Sequence, residues 1–337
     1  MAKIVRFHQP GDASVLQIED VPPVQPSSGE VRIKVSAFAL NRAEIYFREN
    51  QYIHPLSLPS RIGYDAAGVI DAVGEGVTDV RVGDRVATYP AFNQGDYGVY
   101  GEWAIVPAHA VIKYPTHLAP EEAATIGVQY MTGYFALFEH GKLKKGDRIL
   151  ITAASSSTGV AAMSLAKSVG ATVIATTRTS AKKQQLEELG ADYVIVTESE
   201  NLVKRVLDIT NQKGVEVIYD PIAGKTIETY AEMIVPTGVI VIYGVLDTTP
   251  ATFPIFPLLI KGVQIYPYKV FDFTGLPIVN LKIQPEAVER AKTFIVEKLK
   301  DSSLKTVIAK QFPLEKVADA HRFMESNQQV GKIVVTT

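Results

Sequence analysis

The stretch from residue 148 to residue 178 constrains the fold more than any other part of the sequence. It opens with an apolar run of β-forming residues at 149–152 and passes through a turn of small residues into a helix-compatible stretch. Gly170 ends that stretch, and a second β-branched run follows at 172–177. A strand, a turn, a helix and a strand of these lengths predict a right-handed βαβ crossover.

The turn after the first strand contains only Ala, Ser, Thr and Gly, so a phosphate can approach the backbone N–H groups at the start of the helix. Unpaired donors and the helix dipole favour an anion there. The usual dinucleotide-binding fingerprint is G-x-G-x-x-G/A, whereas this turn has one true glycine. Serine still permits a fairly close approach and adds hydroxyl donors. We predict phosphate contacts from Ser155, Ser156, Ser157, Thr158 and Gly159. The alternative is a crossover that binds nothing.

The end of the second strand bears on the choice of cofactor. An acidic residue about 20 positions beyond the turn binds the ribose 2′-hydroxyl of NAD, whereas a basic one accommodates the 2′-phosphate of NADP. Residues 176–183 contain no carboxylate. Arg178 offers a planar fork of donors, Thr177 a neutral hydroxyl and Lys182 a point charge. The sequence therefore favours NADPH over NADH, with a solvated helix start as the alternative.

Composition narrows the classes of protein. A chain of 337 residues is long for one core, which favours two domains. No apolar stretch is long enough to span a membrane, and the N-terminus lacks the apolar core of a secretory signal. A formal net charge of -2 without a basic block argues against a nucleic-acid partner. We expect a cytoplasmic protein.

The sequence contains no cysteine, which excludes disulfides, a thiolate nucleophile and every zinc site that needs sulfur. Its six histidines are scattered, and no pair has the spacing of metal ligands. A zinc site made of histidine and carboxylates is the minor alternative. We expect a protein that works without a metal.

The predicted elements separate a β-rich first third from an alternating middle. Strand alternation begins at 30–39, and small and apolar residues alternate with glycine turns over 63–88. From Asp147 to about Gly244, strands alternate with helices. The predicted strands are 148–152, 172–177, 193–196, 215–219 and 238–243, and the predicted helices are 160–169, 181–189, 201–209 and 225–234. This order indicates a doubly wound parallel sheet with a site at the carboxyl ends of its strands.

Two segments follow this alternating region. Residues 254–270 form an apolar run that reads as strand-like. The tail from Gln284 contains two helices and two strands that do not obviously extend the parallel sheet. We expect the tail to return to the first domain.

Five motifs occur in an order that resembles a known family. They are NRAE at 41–44, GYDAAGVIDAVGEGVTDVRVGDRVA at 63–87, QYMTGY at 129–134, the serine-rich turn and the closing VGKIVVTT at 330–337. Together they resemble the medium-chain dehydrogenase/reductase superfamily, and most of all its zinc-independent quinone oxidoreductase-like (ζ-crystallin-like) branch. The resemblance runs nearly end to end.

This resemblance implies an α/β protein. A GroES-like, β-rich catalytic domain at 1–122 and 270–337 would be combined with a Rossmann NADP-binding domain at 123–269. It also implies NADPH as cofactor and a quinone or an α,β-unsaturated carbonyl as small-molecule substrate. Many relatives are homodimers joined edge to edge through their nucleotide-domain sheets, and 254–270 occupies the family's position for that contact.

The departures from the family pattern matter as well. Zinc-dependent members carry Cys at the position of Asn41 and His at the position of Tyr64, so the resemblance implies a site without zinc. Tyr64 and Asp65 are expected to shape the former metal pocket. The tyrosine that many relatives use beside the 2′-phosphate falls at about Thr197, so Arg178 would carry more of that contact.

The resemblance also gives catalytic candidates. Tyr52 matches the tyrosine proposed as proton donor in enoyl-reducing relatives, and Tyr46 matches another active-site tyrosine. Tyrosine stays protonated at neutral pH and can donate a hydrogen bond or a proton. Asn41 would present an amide to the substrate or would hold its own loop. Packing is the alternative for both tyrosines, because the chain contains 15 of them.

Three further residues are cofactor candidates. Thr132 matches a hydroxyl position near the nicotinamide in relatives, although a mid-helix threonine often bonds to its own helix. Gly244 would allow close approach of the nicotinamide end, or would simply end a strand. Lys332, beside Gly331, is the weakest candidate.

The sequence thus predicts an NADPH-dependent oxidoreductase that transfers a hydride to a quinone or an enone, with a tyrosine or another hydroxyl stabilising the oxyanion. A nucleotide-binding protein without turnover, with a structural or regulatory role, is the alternative, because two family glycines in the turn are replaced by Ser156 and Ser157. An alcohol dehydrogenase is a third possibility, which the missing zinc ligands argue against.

Overall fold

The computed structural model of the protein describes residues 1–337, and the contacts within the chain divide these residues into two units. Unit 1 comprises Met1–Met131, Phe271–Lys300 and Thr306–Thr337. Unit 2 comprises Thr132–Val270 and Asp301–Lys305. Each unit is built around its own sheet.

The strands, in chain order, are β1 (Ala2–Arg6), β2 (Gln17–Val21), β3 (Glu30–Ala39), β4 (Asp65–Val73), β5 (Arg85–Thr88), β6 (Trp103–Pro107), β7 (Val111–Lys113), β8 (Arg148–Ile151), β9 (Thr172–Thr177), β10 (Tyr193–Val196), β11 (Val215–Asp220), β12 (Ile234–Ile242), β13 (Gln264–Pro267), β14 (Ile308–Pro313) and β15 (Lys332–Thr336).

The α-helices are α1 (Arg42–Arg48), α2 (Gln94–Tyr97), α3 (Pro120–Ala123), α4 (Gly127–Tyr134), α5 (Ser157–Ser168), α6 (Lys183–Glu188), α7 (Leu202–Ile209), α8 (Tyr230–Met233), α9 (Ile255–Ile260), α10 (Phe271–Thr274), α11 (Pro285–Lys300) and α12 (Val317–Glu325). A π-helical stretch, Phe135–His140, continues α4. Short 3₁₀ turns at Ser180–Lys182 and Gly224–Thr229 precede α6 and α8.

Unit 2 contains a six-stranded sheet with the order β10-β9-β8-β11-β12-β13. Every pairing in this sheet is parallel. Strands of a parallel sheet are covered on both faces, which explains why they read as continuous apolar runs. The prediction of a doubly wound parallel sheet is confirmed, and its strand bounds agree to within one residue except that β12 starts four residues earlier than predicted.

The core of unit 2 includes a buried side chain from each of five strands. These side chains are Leu150, Ile174, Ile195, Ile218 and Ile240. Each is at most 1% exposed. Burying an aliphatic side chain of this size is worth about 1.5–3 kcal/mol. The core therefore fixes the sheet whose strand ends carry the candidate nucleotide site.

Helix α5 packs close to the turn that precedes it. A Cβ atom on Gly159 would lie 2.7 Å from the Cα and O atoms of Ala154, a distance that real Cβ contacts do not show. Ser156 caps the helix: its hydroxyl accepts a hydrogen bond from the backbone N–H of Gly159 at 3.1 Å. One glycine and one serine cap thus shape this turn where the family fingerprint has more glycines.

The segment 254–270 differs from its predicted structure. The prediction of a strand-like run is wrong for its first half, because Ile255–Ile260 forms helix α9 and only Gln264–Pro267 forms a strand. Short apolar runs of helix and strand cannot be told apart by periodicity. Pro257 falls in the first turn of α9, where its missing N–H costs no hydrogen bond.

Unit 1 contains a seven-stranded sheet with the order β14-β15-β3-β4-β5-β7, in which β6 also pairs with β3. The last strand of the chain, β15, pairs antiparallel with β3. The tail of the chain therefore lies in the same sheet as the N-terminal strands. This arrangement agrees with the predicted GroES-like domain, and together with the parallel sheet of unit 2 it confirms the predicted α/β fold class.

The structure contains no helix that combines the length and the apolar composition needed to cross a bilayer.

Candidate functional site

Asn41 stands at the start of helix α1 in unit 1 and is 6% exposed. Its side-chain amide nitrogen donates to Glu44 Oε1 at 2.9 Å and to Asp65 Oδ2 at 3.1 Å. Its amide oxygen accepts a hydrogen bond from the ammonium group of Lys332. Both amide hydrogens are thus used inside unit 1. The structure gives Asn41 a role in holding the α1 turn, and its contact with substrate stays a prediction.

A buried ion pair lies beside Asn41. The Nζ atom of Lys332 is 2.7 Å from Oδ2 of Asp65, and both side chains are 0% exposed. The other carboxylate oxygen of Asp65 accepts a hydrogen bond from the backbone N–H of Val128 at 2.7 Å. This pair binds the first residue of β15 to the first residue of β4. Lys332 was predicted as a weak cofactor contact, whereas the structure places its ammonium against Asp65 and Asn41.

Glu44 is the third charged group of this cluster. It lies inside α1, is 0% exposed, and accepts hydrogen bonds from the backbone N–H groups of Asn41 and Tyr64 and from the hydroxyl of Tyr100. Burial raises the pKa of Glu44 to about 7, against the lowering effects of Asn41 and Lys332.

Tyr46 and Tyr52 are both partly exposed. Tyr46 lies in α1, and Tyr52 lies in the segment that follows this helix. Burial of the Tyr52 phenol raises its pKa well above the ordinary value, so its hydroxyl is protonated over the physiological range. The ring of Tyr52 contacts His54 edge-on at 5.1 Å and lies 6.5 Å from the ring of Tyr64.

The serine-rich turn of unit 2 leads into helix α5, whose first residue is Ser157. The N–H groups of Ser157 and Thr158 stand in the first turn, where no intrahelical acceptor exists. Both residues and the preceding Ser155 and Ser156 are partly exposed. Ala153 adopts a φ of 45°, which bends the chain at the end of β8. The turn fits a phosphate at a helix N-terminus.

Tyr243 reaches this turn from the end of β12. Its hydroxyl lies 3.0 Å from the hydroxyl of Thr158, and its ring stacks on Tyr219 at 4.0 Å. Sequence analysis missed Tyr243 because no pattern within the chain relates residue 243 to residue 158. Only the pairing of β12 with β11, and of β11 with β8, brings the two strand ends near each other.

The basic residues after β9 lie where the sequence predicts them. The ammonium group of Lys182 is 3.5 Å from the hydroxyl of Ser155, which brings the two predicted cofactor contacts together. Burial and the nearby charge of Arg178 lower the pKa of Lys182. The Thr177 side chain is buried, and its backbone oxygen accepts a hydrogen bond from Thr197.

Arg178 has a neighbour that the sequence did not predict. Its Nε atom lies 3.5 Å from Oε1 of Glu198, and the two side chains are 83% and 57% exposed. The backbone N–H of Glu198 also donates to the carbonyl of Arg178 at 3.1 Å. Residues 176–183 contain no carboxylate, as predicted from the sequence. In the folded protein, however, Glu198 from the loop after β10 lies beside Arg178.

Thr132 and Gly244 are the remaining cofactor candidates. Thr132 is 7% exposed on α4, and its backbone carbonyl accepts a hydrogen bond from the hydroxyl of Tyr268 at 3.2 Å. Gly244 follows β12, and a Cβ atom there would lie 3.0 Å from the carbonyl oxygen of Pro221. The absence of a side chain therefore lets the chain pass close to Pro221, and a contact with cofactor stays a prediction at both positions.

Two family models match the chain. The model described as "Alcohol dehydrogenase GroES-like domain" matches residues 27–116, and the model described as "Zinc-binding dehydrogenase" matches residues 157–292. The 2-haloacrylate reductase of a Burkholderia species is 30% identical over 341 residues, which cover 99% of this chain and 98% of that protein. The chain belongs to the medium-chain dehydrogenase/reductase superfamily.

A longer relative contains a similar segment. A phenolphthiocerol/phthiocerol polyketide synthase protein of Mycobacterium tuberculosis is 31% identical over 332 residues, covering 98% of this chain. The chain spans only 15% of that protein's length. The likeness therefore concerns one part of a much larger protein.

A solved structure extends the comparison to the fold. The crystal structure of the Escherichia coli quinone oxidoreductase complexed with NADPH matches this chain with a TM-score of 0.86 and 26% identity, and covers 99% of this chain and 100% of that chain. Within the superfamily, the chain thus lies near the quinone oxidoreductase and haloacrylate reductase branch, as the sequence predicts.

The positions that carry zinc ligands in zinc-dependent relatives are occupied by Asn41 and Tyr64 in this chain. No group of three or more His, Cys, Asp or Glu side chains is placed to hold a metal ion. The ammonium group of Lys332 lies beside these positions, where it donates hydrogen bonds to Asn41 and Asp65. No sequence pattern predicts this pairing, because Lys332 and Asp65 meet only through the sheet of unit 1.

We expect the substitution Lys332→Met to lower the free energy of unfolding by about 3–5 kcal/mol, because it leaves the buried carboxylate of Asp65 without its counter-ion. Denaturation in urea measures the loss. The matched control is Lys167→Met, which breaks the Lys167–Asp192 pair with side chains 40% and 34% exposed. That control should cost less than about 1 kcal/mol. Equal, small losses in the two variants would contradict a structural role for the buried pair.

Proposed function

We propose that this protein is an NADPH-dependent, zinc-independent oxidoreductase that transfers a hydride to a quinone or to an α,β-unsaturated carbonyl. The observation that carries the proposal is the turn at the start of α5, where free helix N–H groups, serine hydroxyls and Lys182 converge. Whole-chain relatives named as a quinone oxidoreductase and a 2-haloacrylate reductase support it.

The residues of unit 2 fit the charges of the cofactor. Ser155, Ser156, Ser157, Thr158 and Gly159 would hold the diphosphate against the start of α5. Thr177, Arg178 and Lys182 would hold the 2′-phosphate of the adenosine ribose. When bound, the cofactor supplies the hydride.

The residues of unit 1 fit the charge that the reaction creates. Hydride addition to an enone or a quinone leaves negative charge on the substrate oxygen, and a positioned donor stabilises that charge. The hydroxyl of Tyr52 is protonated and the residue is partly exposed, so its hydroxyl is a candidate to donate to the oxyanion or to deliver a proton. Tyr46 would contact the substrate beside it. Asn41 would position the start of α1.

The experiment follows the absorbance of NADPH at its nicotinamide band with a panel of quinones and enones. We expect oxidation of NADPH, and we expect Tyr52→Phe to lower kcat with enones by about 10²-fold because the donor hydroxyl is lost. The dissociation constant for NADPH should stay unchanged. The control is Tyr114→Phe, which removes a hydroxyl bonded to Arg85.

Wild-type turnover in Tyr52→Phe would remove this tyrosine from the mechanism. Tight binding of NADPH without oxidation of any panel member would favour a binding protein without turnover over the reductase.

The preference for NADPH depends on Arg178 and Glu198. We expect Arg178→Glu to weaken the binding of NADPH about tenfold more than the binding of NADH, since it places a carboxylate against the 2′-phosphate.

We expect Glu198→Gln to tighten the binding of NADPH by roughly two- to fivefold without affecting the binding of NADH, because Arg178 loses a competing partner. Quenching of protein fluorescence measures both dissociation constants. Glu187→Gln is the control on the exposed face of α6. Equal changes for the two cofactors would count against this site.

The homodimer predicted from the family is also a proposal. In unit 2, strand β13 stands at the edge of the sheet and pairs with β12 alone. Helix α9, immediately before it, exposes a row of large apolar side chains: Ile255 (61%), Phe256 (70%), Leu259 (70%) and Ile260 (72%). An open sheet edge beside exposed apolar residues is typical of an interface. A second copy of this chain supplies a complementary edge and an equivalent apolar row.

We expect Leu259→Glu to convert a dimer into a monomer, because the interface would have to bury an unpaired carboxylate. Light scattering after size-exclusion chromatography measures the molar mass, which should halve. Val82→Glu is the control, since Val82 is similarly exposed at 57% but lies in unit 1. A monomeric wild-type protein, or a dimer that tolerates Leu259→Glu, would contradict the proposed interface.

A further inference from the structure

The hydroxyl of Ser156 occupies a backbone donor that a phosphate at the start of α5 would otherwise meet. The N–H of Gly159 donates to Ser156 Oγ at 3.1 Å. A glycine at position 156 would have no side chain to accept this hydrogen bond. Gly159 therefore serves the turn by its lack of a side chain, while its N–H is used inside the protein.

A hydroxyl from another strand lies beside the same turn. Tyr243 follows β12, and its hydroxyl oxygen is 3.0 Å from Thr158 Oγ1. Thr158 Oγ1 is in turn 3.4 Å from Ser156 Oγ. All three residues are partly exposed. Ser156, Thr158 and Tyr243 thus form a hydroxyl row at the start of α5.

The hydroxyl row contains more hydrogens than its internal contacts can use. Each of its hydroxyls carries one hydrogen, and the two oxygen–oxygen contacts use at most one hydrogen each. Whichever way the hydroxyls turn, one hydrogen is left for an acceptor outside the row. Burial raises the pKa of Tyr243 well above its ordinary value, so its phenol keeps its hydrogen at physiological pH. The row is therefore a donor that suits an anion.

Contacts of the backbone and of the ring hold Tyr243 in place. Its backbone N–H donates to the carbonyl of Asp220 at 2.9 Å. The buried carboxylate of Asp220 accepts hydrogen bonds from the N–H groups of Ile222 and Ala223, each at 2.9 Å. The Tyr243 ring stacks on the ring of Tyr219 at 4.0 Å, with 14° between the ring planes. Because these contacts do not involve the Tyr243 hydroxyl, it can be removed without loss of packing.

The strand order places the hydroxyl row where ligands of such sheets bind. In the order β10-β9-β8-β11-β12-β13, β9 lies on one side of β8 and β11 lies on the other. Ligands of open α/β sheets bind outside the carboxyl ends of the strands at such a switch point. Thr158 follows β8 and Tyr243 follows β12, with the end of β11 between them. Tyr243 thus reaches the turn from the side opposite to Lys182, which follows β9.

We propose that the hydroxyls of Tyr243 and Thr158 act together as a further donor to the diphosphate of the cofactor, in place of the N–H of Gly159. This inference rests on the proposed binding of a pyridine nucleotide to unit 2. The diphosphate is common to NADPH and NADH, whereas Arg178 would face the 2′-phosphate of NADPH alone. The hydroxyl pair therefore adds affinity for both nucleotides without distinguishing between them.

Calorimetric titration of the full chain with each nucleotide tests the proposal. We expect Tyr243→Phe to weaken the binding of NADPH and of NADH by the same factor, about tenfold, because a hydrogen bond to a charged group is lost. Thr158→Val should match this loss, whereas Thr158→Ser should keep most of the affinity because it retains a hydroxyl. The control is Tyr266→Phe, which removes a unit 2 hydroxyl that donates to Gln264. Unchanged dissociation constants in Tyr243→Phe would overturn the proposal.

Ligands with and without a diphosphate separate this role from a merely structural one. ADP-ribose contains the diphosphate, whereas adenosine 2′-monophosphate does not. In competition with NADPH, we expect Tyr243→Phe to weaken the binding of ADP-ribose and to leave the binding of adenosine 2′-monophosphate unchanged. An equal loss for both ligands would show a general distortion of unit 2, which contradicts a diphosphate contact. Thermal unfolding of the variant detects a failure to fold.

A double-mutant cycle with Ser156 tests the replacement of the Gly159 N–H. Ser156→Gly frees this N–H, and glycine in place of serine at a helix N-cap costs little stability. In the Ser156→Gly background, Tyr243→Phe should weaken the binding of NADPH by about threefold or less, because the freed N–H supplies a donor. The same tenfold loss in both backgrounds would show that the two donors do not replace each other.

The titrations distinguish this inference from the proposed function. Wild-type protein that binds neither NADPH nor NADH would refute both. Tight binding of NADPH by the wild type and by Tyr243→Phe alike would refute only the hydroxyl pair. Binding that depends on Tyr243, without oxidation of NADPH by any quinone or enone, would refute the reductase and support the diphosphate contact.

Discussion

The ion pair between Lys332 and Asp65 organises unit 1. The two residues are far apart in sequence, yet each is the first residue of its strand, β15 or β4. Asn41, at the start of α1, donates to the same carboxylate oxygen. A buried charge is costly without a partner. The contacts among Lys332, Asp65 and Asn41 therefore fix the starts of β15, β4 and α1 relative to one another. The position of α1, and of the tyrosines in and after it, follows from this constraint.

Much of the fold could be predicted from the sequence because the local residue patterns agree with the packing of the folded protein. In unit 2, buried parallel strands appear as β-branched runs of the right length, and the serine cap and Gly159 mark the start of α5. The segment 254–270 failed because its apolar residues fit helix and strand equally well, and tertiary contacts decided between them. The prediction of one helix over 225–234 is also corrected, because Gly224–Thr229 forms a 3₁₀ turn and only Tyr230–Met233 forms an α-helix, α8.

The candidate site was harder to predict, for a physical reason. The proximity of Ser155 and Lys182 could be predicted because the crossover that carries both residues is continuous in the chain. Glu198, Tyr243 and the partner of Lys332 were missed because each reaches the site from another strand. Single-sequence reasoning gives residue type and spacing, whereas a hydrogen bond such as that between Tyr243 and Thr158 depends on sheet order.

The contact between Arg178 and Glu198 bears on any redesign of nucleotide binding in this protein. The basic residues Arg178 and Lys182 lie in the segment after β9, whereas Glu198 lies in the loop after β10. In the proposed site, the charges that would face the 2′-phosphate are thereby divided between two loops. If only the loop after β9 were replaced by that of a related protein, Arg178 would be exchanged but Glu198 would remain.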